Sequence, residues 1–374
     1  MSRDKLVVDY CSGHFGSQLT DQKWFDGWYS ILERHLSPKF LFTRRRYLPN
    51  RYMGAAINAY LRSVSILRQR RKNGILHIPT QLLCEVVANR KLGHGPIVVT
   101  CHDVISYLPN HYDLTGERYP KKVLDKQILA LQRADAVLTD SQHARRDIAE
   151  ILGVDLARIH VVLHGVDADH YRPLGRNKAV MDRYGFAIDR PNLLYVGSEA
   201  PRKNIAGIIR AMVILREKGT PVRLIKVGSV HESWGAQHRA LVREFGLVGD
   251  VVCHQNVPES TLPYLYSAAD AFVFPSFYEG FGLPVLEAMA SGCPVVTSTS
   301  SSLPEVAGEA ALLVDPSRPD AIANGIEQLL TLEGLRHDLI RKGIEQARRF
   351  PWQRTADEIM AVYDKLLLGA HASQ

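Results

Sequence analysis

The sequence has little that would place the protein in a secreted, membrane-spanning or metal-dependent class. Its 374 residues contain no run of about 18 apolar residues, and the first residues lack the apolar core of a signal peptide. There is no C-x-x-C pair and no H-E-x-x-H spacing among the fifteen histidines. We therefore expect a cytoplasmic protein without a bound metal. Its five cysteines are expected to be reduced: Cys11, Cys84, Cys101, Cys253 and Cys293.

Several enzyme classes are disfavoured because their sequence patterns are missing. No G-x-G-x-x-G follows a strand-like run, which argues against a NAD-binding Rossmann enzyme. No Ser-His-Asp or Cys-His nucleophile motif is present. The first half also lacks a pair of carboxylates spaced as a hydrolase would use them.

The net charge of +7 is unevenly distributed along the chain. Residues 1–173 contain 25 basic and 17 acidic side chains, whereas the remainder contains 21 and 22. Most of the excess lies between Arg34 and Lys91, where Glu85 is the only acid. Such a field attracts phosphates or an anionic membrane surface, and the alternative is a solvated helical face. Because the stretch has few aromatics and no nucleic-acid module, we expect no nucleic-acid partner.

Short apolar runs alternate with helix-length segments in both halves, a rhythm typical of βαβ units and parallel sheets. The first half has strand candidates at Leu6–Tyr10, Ile75–Ile78, Ile97–Thr100, Ala136–Thr139 and Ile159–Leu163. The second half has them at Asn192–Val196, Arg223–Val227, Val251–His254, Ala271–Phe274, Pro294–Thr297 and Ala311–Val314. The fold class predicted is α/β, with two Rossmann-like domains that face each other.

The positions of glycine and proline residues predict the domain limits. Residues 167–191 contain Pro173, Gly175, Gly185 and Pro191 and are predicted to be the linker. We therefore place an acceptor-binding domain at residues 1–173 and a nucleotide-sugar domain at 174–350. Residues 351–374 are predicted to form a C-terminal helix that packs back on the first domain.

The stretch from Phe274 to Pro294 carries the most chemical information. A buried strand is predicted to end at Phe274, and a glycine-containing loop leads to Pro284, which suits the first turn of a helix. Free backbone N–H groups at such a place bind phosphates. Glu279 stays in the loop and Glu287 is expected in the first helical turn, where their carboxylates can accept hydrogen bonds from hydroxyl groups.

This stretch, EGFGLPVLEAMASGCPVV, resembles the signature of the retaining glycosyltransferases of family 4, which have the two-domain GT-B fold. The resemblance implies that Glu279 holds hydroxyls of the donor sugar and that Glu287 holds the ribose of a nucleoside-diphosphate sugar. It further implies that a short backbone segment contacts the sugar and phosphates: Gly280, Phe281, Gly282 and Leu283.

A second element in this half fits the same family. Arg202 and Lys203 follow the strand that ends before Gly197 and precede a predicted helix, a place where they can neutralise a diphosphate. They are similar to the family's R-K-N element, which stabilises the departing nucleoside diphosphate. The resemblance implies that Gly197 and Ser198, at the start of this loop, contact the donor, although Ser198 departs from the arginine that many members carry there. Val257 occupies the position where the family's backbone reads the nucleobase, so the sequence does not separate GDP from UDP.

In the first half, His102 and Asp103 follow a strand and are similar to the family's His-Asp element. The resemblance implies that His102 contacts the donor sugar across the interdomain cleft. On the acceptor side we expect the loop containing Gly13 and Gly16, together with Asp103 and Ser141. The D-x-D sequence at 167–169 looks like the family's turn at the domain boundary, so no metal is predicted there.

The sequence thus predicts a retaining, metal-independent and cofactor-free hexosyltransferase. A mannosyl group from GDP-mannose is favoured, with a UDP-linked sugar as the alternative. The acceptor expected is a glycan or lipid-linked molecule in polysaccharide or glycolipid biosynthesis, with peripheral contact to an anionic inner membrane surface. Two other classes stay open: a sugar-nucleotide 2-epimerase of the same architecture and a non-catalytic nucleotide-sugar-binding subunit.

Overall fold

The structure, a computed structural model, describes residues 6–13, 40–47, 74–88, 95–115, 119–230 and 232–372. These residues divide into two compact units. The first takes its described residues from Met1–Leu108, Arg118–Leu163 and Trp352–Gln374, and the second from Pro109–Glu117 and His164–Pro351. Each unit contains a six-stranded sheet in which every paired strand is parallel, which confirms the predicted α/β class.

Six strands form the sheet of the first unit, in the order β2-β1-β3-β4-β5-β6. Their bounds are β1 Leu6–Gly13, β2 Phe40–Tyr47, β3 Ile75–Ile78, β4 Ile97–Thr100, β5 Ala136–Thr139 and β6 Ile159–Val161. The second unit has the order β12-β11-β10-β7-β8-β9. Its strands are β7 Asn192–Val196, β8 Arg223–Val227, β9 Val251–His254, β10 Ala271–Phe274, β11 Val295–Ser298 and β12 Leu312–Val314.

The α-helices of the described residues lie between these strands or follow the last of them. They are α1 His111–Thr115, α2 Lys121–Arg133, α3 Gln142–Leu152, α4 Lys178–Tyr184, α5 Ile205–Glu217, α6 Glu232–Glu244, α7 Leu262–Ala268, α8 Leu283–Ala290, α9 Leu303–Ala307, α10 Pro319–Thr331, α11 Glu333–Ala347 and α12 Trp352–Ala372. Short 3-10 helices lie at Gln81–Val87, Ile105–Tyr107, Leu156–Arg158, Pro201–Lys203 and Glu259–Thr261.

The central strands are continuous apolar runs because helices cover both faces of a parallel sheet. All four residues of β4 are buried, as are all four of β5 and of β10. Their high content of Val, Ile and Phe suits such positions. The apolar runs were therefore a sound guide to the strands in the middle of each sheet.

One edge strand was missed from the sequence. Residues 40–47 form β2, which pairs with β1 in the register Leu6 to Phe40. The helical interpretation of the basic stretch is thus wrong for Arg44, Arg45 and Arg46. Edge strands tolerate charged residues that a central strand would not, so hydrophobicity alone did not reveal this one. Most of the remaining basic residues between 34 and 91 lie outside the described residues.

The predicted linker at 167–191 contains a helix, α4, and lies inside the long segment His164–Pro351 of the second unit. The limits drawn at residues 173 and 350 stay predictions. The C-terminal helix α12 packs in the first unit, where Trp352, Ile359 and Tyr363 lie in one core cluster with Ile75 and Val98. No helix among the described residues combines the length and apolar character needed to cross a bilayer.

A buried polar chain fixes α12 to the sheet. His77 of β3 has its Nδ1 2.6 Å from the hydroxyl of Tyr363 and its Nε2 2.8 Å from Oγ1 of Thr100. His77 is fully buried, and its burial, with a smaller contribution from the nearby positive charge of His102, lowers the pKa of His77 to about 3. The imidazole is therefore neutral when the unit is folded, and its two nitrogens link α12 to the sheet.

We expect His77 to make the first unit sensitive to acid. The unfolded histidine has a pKa near 6.5, so the unfolded state binds a proton more readily, and stability falls as the pH drops from about 6.5 toward 3. Between pH 7 and pH 5 this effect amounts to about 2 kcal/mol. Urea unfolding followed by circular dichroism gives the free energy of unfolding at each pH. From pH 7 to pH 5, His77→Gln should lose about 2 kcal/mol less of this free energy than the wild type. His337→Gln, at an exposed position, should behave like the wild type; equal acid sensitivity in His77→Gln would contradict the assignment.

Candidate functional site

The second sheet places the segments that follow β7 and β10 side by side. The chain runs from β7 outward through β8 and β9 and then returns to β10 on the other flank of β7. Leu193 pairs with Ala271 and Leu194 with Phe272. Ligands of open α/β sheets bind outside the carboxyl ends of the strands at such a switch point. Both predicted donor-site motifs begin here.

The turn after β7 is held by an asparagine. Pro201–Lys203 forms a 3-10 turn, and Asn204 follows in the left-handed region with φ of 58°. The Asn204 side-chain oxygen accepts a hydrogen bond from the N–H of Gly207 at 3.1 Å and caps α5, while its Nδ2 donates to the carbonyl of Pro275 at 3.1 Å. The cap of one helix is thereby joined to the loop that follows β10.

Arg202, Lys203 and Glu279 form one cluster of charges. Lys203 Nζ lies 2.7 Å from Oε1 and 2.9 Å from Oε2 of Glu279, and Arg202 Nη1 lies 3.1 Å from Oε2. Arg202 also donates to the carbonyl of Tyr278 at 3.3 Å. The sequence suggested separate partners for the acid and for the bases. The structure shows that they also bind each other.

The cluster is largely buried, so each of its charges strongly affects the pKa of the others. Only 7% of the surface of Glu279 is exposed. Burial by itself raises the pKa of Glu279, but the charges of Lys203 and Arg202 outweigh it, and the pKa lies below its usual range. The Lys203 ammonium also lies 4.9 Å from the centre of the Phe274 ring. The two cations share one ionised carboxylate, and guanidinium and ammonium groups are side chains that also bind phosphates.

The loop that carries Glu279 is positioned by two serines. The Glu279 N–H donates to Oγ of Ser301 at 2.9 Å. The Ser302 hydroxyl lies 3.0 Å from the carbonyl of Glu279 and 2.7 Å from that of Phe281. No local signal identified these contacts, because the two loops are brought together by the pairing of β10 with β11.

The glycine before α8 is required by the backbone. Gly282 has φ of 117°, which favours glycine, and a Cβ atom there would lie 2.7 Å from Cδ2 of Leu303. The side chain of Phe281 is buried and its ring contacts those of His164 and Phe350 in the same unit. For Phe281, a ligand contact therefore has to come from the main chain. Gly280 and Leu283 flank this turn and are half-buried.

Glu287 occupies a different place from the one expected. It is the fifth residue of α8, so its predicted position in the first helical turn is wrong. Its Oε2 accepts a hydrogen bond from the hydroxyl of Tyr266 at 2.8 Å. Burial raises the pKa of Glu287 to about 7, and the hydrogen bond from Tyr266 opposes that rise. Tyr266, on α7, was not identified from the sequence, because the contact joins two helices.

The remaining donor-side residues line other strand ends of the same sheet. Gly197 follows β7 and its N–H donates to the carbonyl of Val227 at 2.8 Å. The Ser198 carbonyl accepts a hydrogen bond from the hydroxyl of Tyr195 at 2.8 Å. Val257 is half-buried in the segment after the edge strand β9. Their predicted contacts with a donor stay predictions.

The predicted residues of the first half lie at the strand ends of the first unit. His102 Nδ1 is 2.8 Å from Oδ2 of Asp140, and its Nε2 is 2.9 Å from the carbonyl of Pro79. Burial lowers the pKa of His102, but the charge and hydrogen bond of Asp140 outweigh it, and the net shift is upward. Because both partners are acceptors, the ring is best satisfied as an imidazolium. Its predicted contact with the donor sugar stays a prediction.

Three acceptor-side residues have local structural roles in the first unit. The Asp103 carboxylate accepts a hydrogen bond from the N–H of Ile105 at 3.0 Å. Ser141 is fully buried and caps α3, its hydroxyl accepting from the N–H of Ala144 at 3.0 Å. Gly13 is the last residue of β1, and Gly16 lies outside the described residues. Any role in acceptor binding stays a prediction.

The D-x-D sequence has a local structural role in the second unit. Asp167 Oδ1 accepts hydrogen bonds from the N–H groups of Asp169 and His170, each at 3.1 Å. This carboxylate caps the turn that follows β6.

Comparison with known proteins identifies the family. Residues 178–346 match the family Glycosyl transferases group 1, and residues 22–170 match Glycosyltransferase Family 4. The chain is 36% identical over 273 residues to the O-antigen chain mannosyltransferase B of Escherichia coli, which covers 72% of this chain and 70% of that protein.

Two solved structures share the fold. One is the sucrose-phosphate synthase of Thermosynechococcus elongatus, with a TM-score of 0.76, 20% identity and coverage of 97% of this chain and 100% of that chain. The other is HepE of Anabaena in complex with UDP-glucose, with a TM-score of 0.76, 16% identity and coverage of 96% and 100%. Taken with the relative from Escherichia coli, these matches show that the chain belongs to glycosyltransferase family 4 and is a glycosyltransferase of the GT-B fold.

Proposed function

We propose that this glycosyltransferase moves a hexosyl group, with mannosyl from GDP-mannose favoured, to a glycan or lipid-linked acceptor in polysaccharide or glycolipid biosynthesis. The observation that carries the proposal is the buried cluster of Arg202, Lys203 and Glu279 at the switch point of the second sheet. Its adjacent guanidinium and ammonium groups are of the kind that bind a diphosphate. The mannosyl preference rests on the similarity to an O-antigen mannosyltransferase.

In the proposed reaction, Arg202 and Lys203 neutralise the departing nucleoside diphosphate, and the N-terminus of α8 adds its dipole. Glu279 and the backbone of Gly280 to Leu283 hold the sugar, while Glu287 accepts hydrogen bonds from the ribose. The acceptor hydroxyl attacks the anomeric carbon on the face from which the diphosphate leaves, so the anomeric configuration is retained. The bond from the anomeric carbon to the phosphate oxygen breaks, and the leaving diphosphate takes the proton of the hydroxyl. No metal, cofactor or covalent enzyme intermediate is part of this proposal. Contact with an anionic membrane surface stays a prediction from the charge of residues 34–91.

A donor panel tests the reaction class. Each of GDP-mannose, UDP-glucose and UDP-N-acetylglucosamine is incubated with the protein, with EDTA present, both alone and with lipid-linked or glycan acceptors. We expect transfer with retained configuration from one donor, GDP-mannose first, and only slow hydrolysis without an acceptor. A new sugar nucleotide formed from donor alone would indicate a 2-epimerase. Binding without turnover of any donor would indicate a non-catalytic subunit, and an inverted product would exclude the proposed mechanism.

Replacing Glu279 should separate catalysis from diphosphate binding. Glu279→Gln removes the charge that opposes Arg202 and Lys203, so the affinity for the nucleoside diphosphate should be unchanged or higher. Because the contacts to the sugar hydroxyls are weakened, kcat should fall about a hundredfold or more, as for loss of one strong transition-state contact. Calorimetry and initial rates measure the two quantities. Lys178→Ala, an exposed lysine paired with Asp182, serves as the control and should change neither. A Glu279→Gln variant with normal kcat would refute the role of this carboxylate.

Donor binding should depend on the ionisation of Glu287. Since its pKa lies near 7, the carboxylate is mostly protonated at pH 6 and mostly ionised at pH 8. If the ribose requires the ionised form, the Kd for a nucleotide sugar should rise about tenfold from pH 8 to pH 6. A nucleotide sugar is the correct probe, since the terminal phosphate of a nucleoside diphosphate titrates near pH 6 by itself. Glu287→Gln should bind more weakly and without this pH dependence; a parallel pH profile in both proteins would rule the role out.

A further inference from the structure

Lys226 is a buried lysine that the proposed mechanism does not use. It lies in β8, the strand next to β7, and its side chain is 2% exposed. A lysine in a protein interior is rare, because its charge loses its hydration. Burial lowers the pKa of Lys226, and the charge of Glu199 opposes that shift. The two side chains form an ion pair, with Lys226 Nζ 3.3 Å from Oε1 of Glu199, which is 5% exposed.

The ammonium of Lys226 connects two loops at the carboxyl ends of neighbouring strands. Besides Glu199, in the loop after β7, Nζ donates to the carbonyls of Gly228 at 3.0 Å and Ser229 at 2.9 Å, in the loop after β8. Its three N–H groups therefore all have acceptors. The loops also meet through their backbones, since a Cβ atom at Gly228 would collide with the carbonyl oxygen of Gly197. Gly228 has φ of 127°, so a side chain is unsuitable there in any case.

The Glu199 end of this connection leads directly into the charged cluster. Glu199 precedes Arg202 by three residues, and Pro201 at the start of the 3-10 turn restricts the backbone between them. The Arg202 carbonyl in turn accepts a hydrogen bond from the N–H of Phe277 at 2.7 Å. The turn with Arg202 and Lys203 is therefore held between the Lys226 ion pair on one side and the loop after β10 on the other.

Stability alone is a poor explanation for this ion pair. The cost of dehydrating two charges in a protein interior is comparable to their attraction, so an apolar pair of similar volume is often equally stable. Among the described residues, the other charged and titratable groups near the pair include Tyr195 of β7, His238 and Arg239 of α6, and Cys253 of β9. What the pair provides that apolar residues would not is a directional connection between the two loops.

We propose that Lys226 and Glu199 are positioning residues, which hold the turn Pro201–Lys203 so that its two cations meet the diphosphate of the donor. This inference rests on the proposed function. It assigns to the pair no contact with substrate.

A charge-free double variant tests the inference. Lys226→Met leaves Glu199 buried without a partner and should lower the Tm, whereas Lys226→Met with Glu199→Gln removes both charges and should restore most of it. GDP and UDP are first measured with the wild type, and the diphosphate that binds more tightly is used as the probe. The corresponding uncharged nucleoside is the second probe. In the double variant we expect the Kd for the nucleoside diphosphate to rise at least about tenfold, since a small misplacement of binding groups is costly. The Kd for the nucleoside should stay unchanged.

The control is a second lysine–glutamate pair in the same unit. Lys218 Nζ lies 2.6 Å from Oε2 of Glu327 and joins the end of α5 to α10. Lys218→Met with Glu327→Gln should leave both affinities as in the wild type. Wild-type affinity for the diphosphate in the Lys226 double variant, or an equal loss for diphosphate and nucleoside, would overturn the inference.

Two further outcomes are distinguishable. If the double variant fails to fold, Glu199→Gln alone carries the test, because it keeps the side-chain volume and removes the charge that pairs with Lys226. It should raise the diphosphate Kd but not the nucleoside Kd, and an unchanged ratio of the two would overturn the inference. If the wild type binds neither diphosphate, the proposed function fails as well, which the wild-type measurement alone reveals.

Discussion

The second unit depends on how it accommodates two adjacent cations at the carboxyl ends of buried parallel strands. Arg202 and Lys203 would repel each other and lose hydration if no acid were near them. Glu279 supplies that acid from the neighbouring loop, and its pKa is lowered in consequence. In the proposed reaction the same cations also bind the diphosphate of the donor. The three side chains would then have both a structural role and the proposed binding role.

Further hydrogen bonds and an ion pair hold the loops around this cluster. Asn204 joins the cap of α5 to the loop after β10, and Ser301 and Ser302 fix the backbone of that loop. In addition, Lys226 joins the loops after β7 and β8. Side chains that are themselves held by several hydrogen bonds lose little freedom when a ligand binds. A site made from loops can in this way approach the rigidity of the sheet beneath it.

Buried titratable groups in both units are adjusted by their immediate neighbours. His77 is neutral in a dry interior between Tyr363 and Thr100, whereas the nearby His102 is paired with Asp140 and favours its charged form. Glu279 and Glu287, eight positions apart, show the same contrast. One faces two cations and has a lowered pKa, and the other faces a tyrosine hydroxyl and has a raised one. Identical residue types thus have pKa values that their neighbours shift in opposite directions.

The α/β class, most central strands and the family could be predicted from the amino-acid sequence, since these depend on local apolar runs and on one contiguous motif that includes Glu279. The contacts of Glu279 with Arg202 and Lys203, of Tyr266 with Glu287 and of Lys226 with two loops became visible in the folded chain. Those contacts depend on the order of strands in the sheet and on helix packing, which bring together residues 21 to 77 positions apart. Local periodicity carries no information about such pairs. The charged edge strand β2 was not predicted for a related reason. Its position is fixed by backbone hydrogen bonds to β1, and such pairing is not visible in the hydrophobicity of the side chains.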